Sequence, residues 1–263
     1  MDPIVTILRL GGIERPIGSY GVMLAVAILV GGTLAARGAS RARLDPGAAL
    51  AAIGFGTSGA FVGAWLLFVL VEWGRTGTPV NALVQPGLVF FGAPIGGAIA
   101  LLLACRRLEL PLGRFLDAIT PSLPAAHGMG RIGCFLGGCC FGKPWDGPWA
   151  VTYTHPMAPA AYPSVPRHPV PLYESGLLLV LAFAFVLWPP SRVGRGRRLL
   201  GYLLAYGVVR LVTEAFRGDR VRGLWLGGRV STSQIIAALV VAGAAAALWR
   251  TRRRGLVSAG VSS

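Results

Sequence analysis

The chain has 263 residues, 54% hydrophobic and only 13% charged, about half the charged share usual in soluble domains. Its formal net charge is +15, from 25 basic against 10 acidic residues, yet Lys143 is its only lysine and the arginines gather at the ends of apolar runs. This excludes a large soluble core, and the charge pattern fits membrane topology rather than a nucleic-acid groove.

Apolar stretches near the roughly 20-residue spanning length recur along the chain. The first, at 18–36, has Arg9 and Arg15 before it and Arg37, Arg41 and Arg43 after it. It is longer than a signal-peptide apolar region of about 7–15 residues, so it reads as a retained first helix. The second and third are at 48–71 and 85–105, with Arg106, Arg107 and Arg114 following. Small-residue runs such as "GFGTSGA" and "GGAIA" suit close helix packing in lipid.

The fourth stretch, 114–139, is interrupted by Pro121, Pro124 and glycines. Its core, "HGMGRIGCFLGGCC", reads as a glycine-rich turn carrying Arg131. There Gly130 and Gly133 let a ligand approach the backbone, and the guanidinium fork suits a phosphate. This points to a phospholipid-headgroup site; the plain alternative is helix-packing glycines and an arginine reaching to the interface. Cys134, Cys139 and Cys140 have the spacing C-x4-C-C, which matches no common zinc or iron–sulfur pattern. Apolar packing is the default for such thiols, a disulfide or a metal the alternative, and no metal site is expected. The loop at 140–170 ends in "RHPVPLYES". His168 there is a candidate proton acceptor or a solvated side chain, with Tyr173 and Glu174 at the start of the fifth stretch, 171–188.

After Arg192, Arg195, Arg197 and Arg198, the sixth stretch (199–216) carries ionisable groups, which are costly in a membrane and point to function. At 100° per residue Tyr206, Arg210, Glu214 and Arg217 share about 80° of arc. Mutual neutralisation of Arg210 and Glu214 accounts for two of them; a wet, positively charged cavity accounts for all four. The seventh stretch, 231–249, is followed by Arg250, Arg252, Arg253 and Arg254.

Threading seven helices alternately puts all four arginine clusters on one side, which the positive-inside rule makes cytoplasmic. The expectation is an all-α polytopic membrane protein of about seven spans and one domain, 1–263. Its N-terminus and the 140–170 loop would lie outside and its C-terminus in the cytoplasm.

Four stretches together resemble the bacterial prolipoprotein diacylglyceryl transferase family. "GRIGCF" (130–135) is similar to its G-R-x-G-N-F signature and "HPVPLYE" (168–174) to its H-P-S-Q-L-Y-E segment. "YGVVRLVTEAFR" (206–217) resembles its Y-G-x-x-R-x-x-x-E-x-x-R helix, and "SYGVMLA" (19–25) its first span. The resemblance implies an enzyme of the cytoplasmic (inner) membrane that needs no metal or organic cofactor. It would move diacylglyceryl from phosphatidylglycerol to the lipobox cysteine of a preprolipoprotein, forming a thioether and releasing glycerol phosphate. It implies catalytic roles for Arg131, Arg210, Glu214, Tyr206 and His168. Substrate contacts would come from Arg131, Gly130, Gly133, Arg217, Tyr173, Glu174 and Tyr20. The chain departs from the pattern where Phe91 replaces a histidine, Cys134 an asparagine, and Gly137 and Cys139 an asparagine and a glutamate. Rival readings are a non-catalytic lipid-binding or lipid-moving protein, and a membrane thiol oxidoreductase using Cys139 and Cys140.

Overall fold

A computed structural model describes residues 3–10, 13–78, 87, 89, 91–160, 164–188, 196–218, 223–225 and 230–260. Two antiparallel strands, β1 (Ile4–Leu10) and β2 (Ile13–Gly18), open the chain. They feed into α1 (Ser19–Arg41), whose Ser19 N–H donates to Pro3 O at 2.8 Å. Helix α2 (Pro46–Thr76) starts and stops on its own sequence signals. The Asp45 carboxylate accepts from Ala48 N–H at 2.6 Å, Pro46 opens the first turn, and Gly77 closes the helix at φ 74°.

Then come α3 (Gly92–Arg107), α4 (Leu112–Ile119), α5 (Ser122–Leu136), α6 (Val170–Leu187), α7 (Arg197–Glu214) and α8 (Thr232–Gly260). A second hairpin, β3 (Leu224–Trp225) with β4 (Val230–Ser231), precedes α8. The described chain is thus mostly helical, and the two hairpins correct the all-α expectation. The first is rich in β-branched Ile, Val and Thr, which favour strands; its signal was masked by proximity to the apolar run.

Four of the described helices are long and apolar enough to cross a membrane: α1, α2, α6 and the Thr232–Thr251 part of α8. At 16 and 15 residues α3 and α5 are shorter, and α7 carries Arg197, Arg198, Arg210 and Glu214. Part of the expected 85–105 stretch lies outside the described residues. The 114–139 stretch is two helices meeting at Thr120 and Pro121. Pro124 falls in the first turn of α5, where its missing N–H costs no helix bond. The glycines do not break α5.

Helices α2 and α3 touch backbone to backbone. A Cβ on Gly63 would lie 2.3 Å from Gly92 O, and one on Gly96 2.3 Å from Gly59 O, so small residues set this contact. Helix α1 packs on α2, α4 and α5, α5 on α6, and α7 on α6 and α8. One end of the bundle is an alanine-rich core closed by Phe115 and Ile119. Arginines crowd the same end: Arg37, Arg41 and Arg198 line one cavity of about 100 Å³, and Arg114 donates to Ala42 O at 2.7 Å. Buried Arg198 donates to Asp117 O and Trp188 O, both at 2.8 Å, and to Phe185 O. The Asp117 carboxylate accepts from Arg198 N–H at 2.8 Å and so caps α7.

The opposite end is covered by the segment joining α5 to α6. Its backbone is tied down by Gly142 N–H to His168 O (3.0 Å), Lys143 N–H to Phe216 O (2.8 Å) and Gly218 N–H to Phe141 O (3.1 Å). Tyr153 is buried within it, and the Arg167 guanidinium lies 4.8 Å above the Phe141 ring.

Candidate functional site

Glu174, one turn into α6, is 1% exposed and gathers the polar groups of three helices. Arg131 of α5 reaches its carboxylate at 3.1 Å and Arg210 of α7 at 3.5 Å. The Tyr206 hydroxyl donates to it at 3.3 Å, and His127 Nε2 lies 3.9 Å away. Arg210 also pairs with Glu214 at 2.9 Å and donates to Ser233 Oγ of α8 at 3.1 Å. Two guanidiniums therefore face two carboxylates. The stripe expected on the sixth stretch is present for Tyr206, Arg210 and Glu214, but its charge is balanced rather than purely positive. Such balance is what burial of charge demands. Arg217 lies beyond the end of α7, buried, with its backbone bridged to Gly142.

Arg131 is helical, which corrects the expected glycine-rich turn. Contact with α1 and α6 outweighs the low helix propensity of the glycines. The N–H groups within α5 serve the helix ladder rather than a ligand. Gly130 has open space where a Cβ would point, whereas a Cβ on Gly133 would meet Met23 at 3.1 Å and Tyr20 at 3.2 Å. Gly130 thus leaves room, and Gly133 lets α1 approach.

A cavity of about 940 Å³ begins at this cluster and runs between α1, α2 and α5. Leu24, Ile28, Leu50 and Phe61 supply apolar walls, and Tyr20, His127, Gly130, Arg131 and Cys134 a polar end. Arg131 Nε is buried without a hydrogen-bond partner among the described residues. One arginine therefore joins the groove to the ion network.

His168 and Tyr173 belong to a second cluster. The His168 ring stacks on Trp145 at 4.3 Å, its Nδ1 lies 3.1 Å from the Tyr173 hydroxyl, and both rings meet Phe216 edge-on. The Trp149 indole donates to the same hydroxyl at 3.0 Å. Burial, then the nearby Lys143 charge, lowers His168 below its ordinary 6.5, so it is neutral at neutral pH. Phe91 stands at the N-terminus of α3, 46% exposed.

His127 joins the cluster although the sequence did not single it out. Its ring packs 5.0 Å from Tyr206. The available signal was spacing, since residues four apart share a helix face and His127 precedes Arg131 by four. Ser233, on another helix, left no such sign. Cys134 in the last turn of α5 meets Cys139 and Cys140 just beyond it, the three Sγ atoms within 4.8 Å of one another.

Fold and site define a class: helical membrane proteins with a long apolar groove that ends on a half-buried arginine, a shape suited to an amphiphile with an anionic head. The family model described as prolipoprotein diacylglyceryl transferase matches residues 6–250, and the chain belongs to that family. It is similar to the phosphatidylglycerol–prolipoprotein diacylglyceryl transferase of Clostridium tetani (strain Massachusetts / E88), at 33% identity over 84% of this chain and 88% of that protein. The enzyme of that name from Synechococcus elongatus (strain ATCC 33912 / PCC 7942 / FACHB-805) is 30% identical over 92% and 85%. A second transferase of Clostridium perfringens (strain 13 / Type A) is 29% identical over 86% and 87%.

Proposed function

We propose that the protein transfers diacylglyceryl from phosphatidylglycerol to the lipobox cysteine of a preprolipoprotein, the first step of lipoprotein maturation. The observation that carries this reading is the place of Arg131, at the meeting of an apolar groove and a buried ion network. Acyl chains occupy the groove along Leu24, Ile28 and Phe61, and the phosphate sits at Arg131, with Tyr20 beside it. The peptide thiolate attacks the terminal glyceryl carbon. The bond between that carbon of the diacylglyceryl group and the phosphate-ester oxygen breaks, its electron pair stays on that oxygen, and glycerol phosphate leaves.

Arg131 stabilises the charge growing on the leaving group, as preorganised donors do. Glu174 and Glu214 hold Arg131 and Arg210 in place, Tyr206 orients Glu174, and Arg217 adds positive charge near the site. His127, on the cavity wall, accepts the thiol proton in place of a histidine at position 91. His168 and Tyr173 contact the acceptor peptide. The chain acts as one domain in the bacterial cytoplasmic membrane. There α3, the α4–α5 pair and α7 complete seven spans, with the arginine-rich end in the cytoplasm.

The test combines rescue of cells depleted of their own transferase, read as the mass of a reporter lipoprotein, with turnover by purified variants. Wild type should lipidate the reporter. Arg131→Lys and Arg210→Lys keep charge but lose the fork, and each should lower turnover about 10²- to 10³-fold. Wild-type rates in both variants would remove the phosphate clamp. Phosphatidylglycerol binding without any lipidation by wild type would make the protein a lipid binder.

A further inference from the structure

We propose that Cys134, Cys139 and Cys140 form a three-thiolate site for a soft d10 cation, Zn²⁺ or Cu⁺, at the end of α5. Three of the chain's four cysteines fall within seven residues, and their Sγ atoms all lie within 4.8 Å of one another. A metal–sulfur distance of about 2.3 Å sets thiolates roughly 3.8–4.0 Å apart in a tetrahedral or trigonal shell. Small side-chain rotations close the remaining difference.

The backbone is bent to make this cluster. Gly138 (φ 70°) and Cys140 (φ 58°) both take the left-handed conformation, which a non-glycine residue adopts at a cost. Cys139 N–H is also held by Cys134 O at 3.0 Å. Two left-handed residues turn the chain back on the helix, so thiols whose linear spacing resembles no metal motif share one point. The charge balance favours thiolates. Arg131 precedes Cys134 by three residues on the same helix, and Arg217 is bridged to Gly142, two residues beyond Cys140. Binding replaces thiol protons, which pass to solvent, by one cation; no electrons move. Thiolate ligands select soft ions over Mg²⁺ or Ca²⁺.

The experiment uses full-length protein in detergent, loaded with Zn²⁺ or, under a reductant, with Cu⁺. Each sample is passed over a weak chelator and assayed for metal per chain. Co²⁺ loading reads sulfur-to-metal charge-transfer absorption in parallel. About one equivalent of Zn²⁺ or Cu⁺ should be retained, and lost in Cys134→Ser, Cys139→Ser and Cys140→Ser but kept in Cys105→Ser. Because a variant can fail to fold, wild type is also alkylated with and without metal and mapped by mass. Protection should fall on residues 134, 139 and 140. Wild type that retains no ion, or variants that retain as much as wild type, would overturn the site. So would a disulfide between two of the three in the isolated protein, which would make them a redox pair.

Discussion

At the scale of single residues, two histidines that look alike in the sequence occupy different chemical settings. His127 lines the groove beside Glu174, while His168 stacks on Trp145 and bonds Tyr173. Burial, then the Lys143 charge, depresses His168 below its ordinary 6.5, so it gains a proton only as pH falls below that value, at a cost to the folded state. His127→Phe should therefore abolish turnover at every pH. His168→Phe should keep kcat near wild type at about pH 7.5, raise KM for the lipobox peptide roughly tenfold, and remove any loss of peptide affinity that sets in below 6.5. Steady-state kinetics across pH decides it, and equal kcat losses in both would refute the assignment. Tyr206, Arg210 and Glu214 were legible because polar groups at helical spacing stand out in an apolar run. Glu174 was legible only as part of a motif. Its role as the shared partner of two arginines depends on how α5, α6 and α7 meet, which spacing does not encode.

At the scale of elements, the apolar body of α2 was readable from the 48–71 run, and its ends are set by Asp45, Pro46 and Gly77. The helicity of α5 was not readable, because local glycine preference argues for a turn and only neighbouring helices overrule it. The same contacts make glycines unequal within one helix. A Cβ at Gly63 would lie 2.3 Å from Gly92 O, whereas one at Gly54 meets nothing within 4 Å. Gly63→Val should force α2 from α3 and destabilise the protein by about 1–3 kcal/mol, the usual range for overpacking. Gly54→Val should be nearly neutral. Thermal unfolding in detergent separates them, and equal midpoints would disprove the close contact.

At the scale of the whole molecule, three of the four arginine clusters, around Arg37, Arg114 and Arg198, meet at one end of the bundle. The arrangement of the clusters was legible because it needs only the order of apolar and basic segments. The hairpins were not: the strands of the first run straight into the apolar stretch of α1, and those of the second are two residues each. On the proposed orientation, a reporter fused after Ser263 should report the cytoplasm and one inserted near Ala158 the outside. Either sign reversed would invert or break the seven-span arrangement.

The groove has one more consequence, for kinetics. Leu24, Ile28 and Phe61 line it and are also 43%, 65% and 59% exposed, so its wall is continuous with the surface that meets lipid tails. On the proposed function, the lipid reaches the groove sideways within the membrane without crossing water. Its encounter rate then follows crowding in two dimensions, the mole fraction of phosphatidylglycerol among its neighbours. Diluting that lipid with an inert one should slow the protein, while adding more membrane of the same composition should leave each molecule's rate unchanged.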